Sequence, residues 1–232
     1  MTAIERDRLP TLPPDFSISL IAAHYNEEAG NYPDEGEPKL MQEFLQLISN
    51  SGFIADLGCG PGYRVRDLSL QGRRAIGLDI SPAMIVRAKA ENPDIANFFF
   101  VGDMNNLKDY FHEKSLKGIT AFYSAIHLAK KDSLAFFIDC WDLLEDDGYM
   151  YIIMQEAFIP GQNKEVHSHN ANEQKGVAMN VVSYEEQEDT VDQAGFDIVS
   201  TFVRDPDLEA GEHPYRKRHC ILKKRSKKVL PE

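Results

Sequence analysis

The stretch ADLGCGPGY, from Ala55 to Tyr63, places a glycine at every second position directly after an apolar run. Glycine loses more conformational freedom on folding than any other residue, so this concentration indicates a backbone that turns sharply or approaches a ligand closely. The residues before the first glycine of this turn, 52–57, are almost continuously apolar, as in a strand that is covered on both faces. The sequence therefore predicts a buried strand, a glycine turn and a following helix whose free N–H groups face that turn.

The spacing of the glycines separates three kinds of loop. Gly58, Gly60 and Gly62 form G-x-G-x-G, whereas a dinucleotide-binding loop has G-x-G-x-x-G and would have its third glycine at Tyr63. A phosphate-binding P-loop needs a lysine after its last glycine, and none follows here. A tight turn with surplus glycines stays open, because the loop by itself does not distinguish a structural role from ligand binding.

Apolar runs and helical patterns alternate along the chain. Further strands are expected at 74–79, 97–103, 117–125 and 148–155, and helices at 37–50, 81–92, 132–148 and 183–196. Ser81, Asp132 and Ser183 are the expected N-caps, and Gly148 and Gly195 the expected helix stops. This alternation predicts a parallel sheet with helices on both faces.

The last two apolar runs, 195–205 and 217–225, have a turn-rich connection and no helix between them. They predict an antiparallel pair that closes the sheet. The expected fold is therefore α/β, a Rossmann-like doubly wound sheet of seven strands, mostly parallel with an antiparallel edge strand. Residues 1–38 are expected to form an N-terminal cap segment and 39–232 one domain, within which 156–182 form a lid or substrate loop.

Composition limits the possible partners. The 232 residues include 37 acidic and 25 basic ones, a formal charge of −12, and such a surface repels nucleic acid. The basic cluster 216–228 is expected to be an exposed final strand that lysines protect from edge pairing. Three distant cysteines suggest neither disulfides nor a metal site, and hence a cytoplasmic protein. No apolar run reaches the roughly 20 residues of a membrane span. A monomer or homodimer is expected.

Acidic side chains end the two strands that follow the glycine turn. Asp79 closes the second strand and could accept hydrogen bonds from a ribose diol. Asp103 closes the third, with the apolar Met104 beside it. Because ligands of open parallel sheets bind beyond the carboxyl ends of the strands, these residues and Asp56 are expected around one pocket.

With these residues the sequence resembles a class I S-adenosylmethionine-dependent methyltransferase over most of its length. FIADLGCGPGY resembles the first motif of that family, GLDISPAMI the second and FVGDMNNL the third; GITAFYSAIHL and LLEDDGYMYIIM resemble its fourth and fifth strands. The fourth strand departs from the pattern, because it lacks the acid that the family often carries near its start.

The resemblance implies a role for each motif residue. The glycine turn, with Cys59 inside it, would approach the methionyl and ribose parts of S-adenosylmethionine, Asp79 would bind the ribose hydroxyls, and Asp103 the adenine amino group. The remaining expected cofactor-binding residues are Tyr25, Asp56, Ile80, Met84, Met104, Ser124 and Ala125.

The N-terminal AAHYNEEAGNY also resembles the lead-in of the family, with Asn26 in place of the usual acid, and this implies that Tyr25 lies near the transferred methyl group. His127, just beyond the fourth strand, is the first candidate for a general base, and Glu156 the second. His24 is a further possibility. His167 and His169 form H-x-H but lack a third metal ligand at a recognisable spacing.

The expected function is methyl transfer to an O, N or C nucleophile of a small molecule. Two alternatives stay open at this point. One is a protein with the same fold that binds S-adenosylmethionine or a partner without catalysis, and the other is a nicotinamide oxidoreductase, which the glycine spacing opposes.

Overall fold

The computed structural model describes residues 17–32, 38–157, 164–167, 177–181, 183–207 and 215–226. The helices are α1 Ile18–Glu28, α2 Met41–Leu47, α3 Tyr63–Leu70, α4 Pro82–Glu91, α5 Lys130–Leu143 and α6 Tyr184–Gln193. The strands are β1 Phe53–Leu57, β2 Arg74–Asp79, β3 Phe99–Val101, β4 Leu116–Phe122, β5 Leu144–Ala157, β6 Lys164–His167, β7 Ala178–Val181, β8 Phe196–Arg204 and β9 Tyr215–Lys224. Short 3-10 turns cover Pro93–Phe98, Met104–Asp109 and Ala125–His127.

Seven of these strands form one sheet in the order β3-β2-β1-β4-β5-β9-β8. The pairs from β3 to β5 are parallel, and β9 is antiparallel to both β5 and β8. The direction of winding reverses between β1 and β4, which is where open α/β sheets bind ligands. The predicted Rossmann-like sheet of seven strands, mostly parallel with an antiparallel strand near one edge, is confirmed.

The basic C-terminal strand lies inside the sheet, so the prediction of an exposed final strand is wrong. β9 pairs on both sides, and Cys220, Ile221 and Leu222 are completely buried. Its cations are held by internal partners: Arg218 contacts the carboxylate of Glu156, and Lys224 donates to the carbonyl of Leu144. The basic run can form an inner strand because its cations have partners within the protein and the apolar residues between them are buried.

Helix α5 and strand β5 meet at a different point from the one predicted. The helix begins at Lys130, so Asp132 lies in its first turn and is not the N-cap. It ends at Leu143, and β5 begins immediately at Leu144, whose Cα pairs with that of Leu116. The sequence had suggested a helix as far as Gly148. Pairing with β4 instead makes the residues from Leu144 onward part of a strand.

Other helix ends agree with the sequence. The Ser81 hydroxyl accepts from the N–H of Met84 at 3.1 Å, and the Ser183 hydroxyl from that of Glu186 at 3.3 Å. Gly195, at φ 93°, follows the end of α6 in the left-handed conformation that glycine favours. These caps fix where α4 and α6 begin and end beside the sheet.

Helices cover the two faces of the sheet with separate apolar clusters. Phe136 and Phe137 of α5 pack with Phe196 on one face, and Phe44 of α2 packs with Ile54 on the other. Within the predicted lid, β6 and β7 form a two-stranded antiparallel hairpin outside the main sheet. The rest of that segment, 158–163, 168–176 and residue 182, lies outside the described residues.

Candidate functional site

Two glycines of the turn after β1 are required by packing. Gly58 and Gly62 have φ values of 74° and 85°, in the left-handed region that residues with a Cβ rarely adopt. A Cβ on Gly58 would lie 2.2 Å from the Cβ of Ser124, and one on Gly62 would lie 2.6 Å from the Phe99 ring. These positions explain two of the glycines without any ligand.

The glycine between them faces open space. At Gly60, with φ 51°, a Cβ would meet nothing nearer than the Tyr32 ring at 4.0 Å. Its N–H donates to Oδ2 of Asp79 at 2.8 Å, which holds the turn against the end of β2. Gly60 therefore presents bare backbone to the pocket, as close approach of a ligand requires.

Asp79 is the acidic centre of this pocket. Its second oxygen, Oδ1, accepts from the N–H of Ser81 at 2.8 Å, and the residue is 8% exposed. Burial raises the pKa of Asp79, while the two backbone donors oppose that rise. Each carboxylate oxygen has a second lone pair, so the group can accept further hydrogen bonds from a diol.

Around Gly60 and Asp79 lies a pocket at the carboxyl ends of β1, β2 and β4, here called the glycine-turn pocket. Its enclosed volume is about 70 Å³, and the rest of the cleft is open to solvent. Its lining residues are Ile18, Ile21, Tyr25, Tyr32, Gly58, Gly60, Asp79, Ile80, Met84, Met104, Asn105, Phe122, Tyr123, Ser124, His127 and Leu128.

Helix α1 closes one side of the pocket and is attached to α4. The side-chain oxygen of Asn26 accepts from the Ser81 hydroxyl at 2.7 Å and from the N–H of Ala83 at 3.1 Å. The Arg87 guanidinium donates to the carbonyl oxygen of Ala29 at 2.7 Å. Asn26 thus satisfies free donors at the start of α4, which explains how an amide serves where the family often has an acid.

Tyr25 and His127 meet at the far end of the same pocket. The Tyr25 hydroxyl lies 2.6 Å from Nε2 of His127, and Nδ1 of His127 lies 2.9 Å from the carbonyl oxygen of Ala178 on β7. A carbonyl oxygen can only accept, so Nδ1 carries the proton and Nε2 accepts from Tyr25. Burial lowers the pKa of His127 to about 4, which keeps the ring neutral at pH 7.

Several predicted cofactor residues lie behind the pocket wall. Asp56 is buried under the turn, where its Oδ1 accepts from the Thr120 hydroxyl at 2.7 Å, and burial raises its pKa to about 6. The thiol of Cys59 packs toward Gly77. The side chains of Asp56 and Cys59 thus support the turn and do not line the pocket. Gly62 lies so close to the Phe99 ring that only a glycine fits there.

Asp103 uses its carboxylate locally. Oδ1 accepts from the N–H of Asn105 at 2.9 Å and from the Asn105 amide, and Oδ2 accepts from the Asn106 amide at 3.1 Å. Met104 and Asn105 line the glycine-turn pocket, whereas Asp103 caps the short turn that they begin. Binding of adenine by Asp103 stays a prediction, and Asn105 is a lining residue that the strand-end pattern did not indicate.

Glu156 and Ala125 are turned away from the pair formed by Tyr25 and His127. Glu156 is buried and forms an ion pair with Arg218 at 2.8 Å, which favours a structural role. Ala125 lines a separate cavity next to α5 and α6. His24 contacts Tyr25 edge to face, and His169 lies outside the described residues.

Ile18 and Ile21 line the pocket from positions that carried no motif signal, whereas Tyr32 belongs to the N-terminal stretch that resembles the family's lead-in. Within the described ranges, no group of three or more His, Cys, Asp or Glu residues is placed to hold a metal ion. Nor does that part of the chain contain a helix with the length and apolar character needed to cross a membrane.

Comparisons with known proteins find similarity to methyltransferases. A family model described as a methyltransferase domain matches residues 54–148. A protein of Geobacillus sp. (strain WCH70) named as a methyltransferase is 24% identical over 65% of this chain and 66% of its own length. The N-demethylindolmycin N-methyltransferase of Streptomyces griseus is 27% identical over 51% of this chain and 52% of its own. The chain thus spans between half and two thirds of these curated relatives.

Among solved structures, the geranyl diphosphate C-methyltransferase of Streptomyces coelicolor A3(2) has the same fold, with a TM-score of 0.70 at 15% identity over 92% of this chain and 100% of its own. That structure contains S-adenosyl-L-homocysteine, the product form of the family's cofactor. The open backbone of Gly60, the Asp79 carboxylate and the apolar lining of the glycine-turn pocket fit the same group. Residues 54–148 therefore match a methyltransferase domain, and the chain has the fold of solved S-adenosylmethionine-dependent methyltransferases.

Proposed function

We propose that this protein transfers a methyl group from S-adenosylmethionine to an O, N or C nucleophile of a small molecule. The observation that carries the proposal is the hydrogen-bonded pair of Tyr25 and His127, which lines the same pocket as Gly60 and Asp79. This pair can carry a proton within the pocket, which a site that only binds the cofactor does not need.

The pocket residues would divide the cofactor between them. Asp79 would accept the ribose hydroxyls, Gly60 would let the backbone approach the methionyl portion, and Met84 and Met104 would pack beside the adenine. When bound, S-adenosylmethionine supplies a methyl group that its sulfonium has already activated. The work left to the chain is to orient the acceptor, exclude water and accept a proton.

Tyr25 and His127 can accept that proton in series. As the acceptor's nucleophile forms its new bond to carbon, its proton would pass to the hydroxyl oxygen of Tyr25, and the proton of Tyr25 would pass to Nε2 of His127. The Ala178 carbonyl keeps Nδ1 protonated, so Nε2 is the free base. The resulting imidazolium forms while the positive charge of the sulfonium is lost, which avoids two neighbouring cations in a buried site.

The net charge of the chain and the acceptors named for similar proteins support a small-molecule acceptor. The net charge of −12 opposes binding to nucleic acid. One relative is named for methylating N-demethylindolmycin and one structural neighbour for methylating geranyl diphosphate. Both acceptors are small molecules, and they differ enough that neither is proposed as the substrate here.

The first test separates cofactor binding from catalysis. Calorimetric titration with S-adenosylhomocysteine is expected to give saturable binding, and labelled S-adenosylmethionine is expected to methylate a member of a panel of small nucleophiles. Absence of binding at millimolar ligand would overturn the whole proposal. Binding without turnover across the panel would instead support the non-catalytic alternative.

The second test addresses the proton path. Tyr25→Phe and His127→Gln should each lower kcat by about 10²–10⁴-fold, and the double variant no further, because the two groups act on one proton. Tyr149→Phe is the matched control. Tyr149 lies on β5 and does not line the glycine-turn pocket, so kcat should stay unchanged. Additive losses in the double variant would show that the two residues do not form a single path.

A further inference from the structure

A second cavity lies next to the turn Ala125–His127, on the side of α5 and α6. Its volume is about 130 Å³, close to the roughly 150 Å³ of an engineered cavity that binds benzene. Leu134, Phe137 and Met154 give it apolar walls, and polar groups come from β5, β7 and α6. The cavity shares Leu128 with the glycine-turn pocket, so the two spaces are neighbours.

Two side-chain oxygens in this cavity have no hydrogen-bond partner among the described residues. They are Oε1 of Gln155 and Oδ1 of Asn180, and Gln155 is only 7% exposed. A buried acceptor without a donor costs about 1–3 kcal/mol, so folded proteins seldom keep one without a use for it. Within the described residues these two oxygens therefore lack a donor, and a bound molecule with N–H or O–H groups is one source of it.

The surrounding contacts fix the chemistry that the cavity offers. The Asn180 amide nitrogen donates to the Ser133 hydroxyl at 3.2 Å, so this contact does not use the amide oxygen. The Thr190 hydroxyl donates to the carbonyl of Glu186 at 2.8 Å. Glu186 is in turn paired with Lys130, so the charges at this rim cancel. The cavity thus combines acceptor oxygens, apolar walls and no net charge from this pair.

We propose that this cavity, the amide pocket, is a binding site for a small neutral molecule that has an apolar body of about one ring and a group with two hydrogen-bond donors. The donors would satisfy Gln155 and Asn180, and the ring would lie against Phe137 and Met154. This site does not depend on methyl transfer, because none of these four residues lines the glycine-turn pocket.

Aniline and toluene provide a test, because they have nearly the same shape and only aniline carries two N–H donors. Ligand-observed NMR titrations should show saturable aniline binding to the full chain, about tenfold tighter than toluene, as two added hydrogen bonds allow. Equal affinity for both probes would show that the oxygens take no part. No saturable binding by either would mean that the cavity holds water alone. Either result overturns the proposal.

Variants locate the binding. Gln155→Met keeps the length of the side chain and should weaken aniline about fivefold while toluene binds as well or better, which an unfolded variant could not do. Asn180→Leu should shift the preference in the same direction. Gln193→Met, an exposed change on α6, is the matched control. Unchanged aniline affinity in both cavity variants, or displacement of aniline by S-adenosylhomocysteine, would place the probe elsewhere and overturn the proposal.

Discussion

The two pockets beside the turn Ala125–His127 differ in how far their polar groups are hydrogen-bonded within the protein. In the glycine-turn pocket, Asp79 already receives two backbone N–H donors and Ser124 donates to the carbonyl of Leu57. In the amide pocket, oxygens of Gln155 and Asn180 are left without donors among the described residues. The first pocket is therefore shaped by the protein itself, whereas the second is incomplete until a ligand supplies donors.

The largest effect should come from the wall of the glycine-turn pocket. Gly58→Ala combines a left-handed φ with a Cβ that would overlap Ser124, so unfolding in urea should show a loss of about 2–5 kcal/mol. Gly72→Ala is the matched control, because Gly72 has the same φ of 74° and open space around it. Equal losses at both positions would mean that the contact with Ser124 costs nothing.

The second effect concerns the acidic centre of the same pocket. Asp79→Ala should weaken binding of S-adenosylhomocysteine by about 1.5–3 kcal/mol, the range for hydrogen bonds to a charged group. Calorimetry on the folded variant measures this, with the exposed Asp94→Ala as control. Wild-type affinity in folded Asp79→Ala would remove the carboxylate from the binding site.

The third effect is a dependence of stability on pH. The pKa of His127 is about 4 in the folded chain and about 6.5 in the unfolded chain, so between these values the unfolded chain binds more protons and acid destabilises the fold. His127 should therefore account for about 2 kcal/mol of the stability lost between pH 7 and pH 5. Urea unfolding at both pH values should show a loss smaller by that amount in His127→Gln.

Among the described residues, His219 and Asp56 also have pKa values shifted into or across this window, without changing the comparison of variants. Burial lowers the pKa of His219 to about 4, which adds to the loss in acid, and raises that of Asp56 to about 6, which opposes it. Both groups are present in wild type and variant alike. His112→Gln, an exposed change, is the control, and a His127→Gln profile parallel to that of the wild type would contradict the burial of a neutral ring.

The fourth effect lies where α1 covers the pocket. Asn26→Ala removes the acceptor for Ser81 and Ala83 and should weaken S-adenosylhomocysteine about fivefold, since one net hydrogen bond contributes about 1 kcal/mol. Asn26→Asp keeps the acceptor and places a negative charge at the N-terminus of α4, so its affinity should be retained. An equal loss in both variants would show that the amide itself is needed.

The smallest effect has the opposite sign and belongs to the amide pocket. Gln155→Met removes a buried oxygen without a donor, so the ligand-free chain should gain about 1 kcal/mol in unfolding free energy. Gln193→Met, which is exposed, should change it by less than about 0.5 kcal/mol. A marked loss of stability in Gln155→Met would mean that the fold itself satisfies this side chain, and the contrast between the pockets would disappear.

Much of the glycine-turn pocket could be predicted because it follows from strand ends. In a parallel sheet the carboxyl ends of neighbouring strands lie at one edge, so residues that follow successive apolar runs converge. Gly60, Asp79 and Met104 were found in this way. Asp103 has the same position in the pattern, yet the neighbouring Asn105 and Asn106 occupy its carboxylate, a local competition that a strand-end pattern does not contain.

The amide pocket could not be predicted, because its residues come from the turn Ala125–His127 and from α5, β5, β7 and α6, with no common spacing. Gln155 and Asn180 are ordinary polar residues in the sequence, and only the packing of α5, α6 and β7 buries them together. The late start expected for β5 has a similar cause. Its first residue, Leu144, becomes a strand residue through pairing with Leu116, a contact between distant parts of the chain that local helix propensity does not include.

The attachment of α1 to α4 affects both the cofactor side of the glycine-turn pocket and the Tyr25–His127 pair. Tyr25 lies on α1, and Asn26 and Arg87 hold that helix over the pocket through contacts with Ser81 and the carbonyl of Ala29. Because Tyr25 lies on α1, a movement of α1 away from the pocket would also break the Tyr25–His127 hydrogen bond. Such a movement would bring the cofactor side of the pocket and His127 into contact with water together.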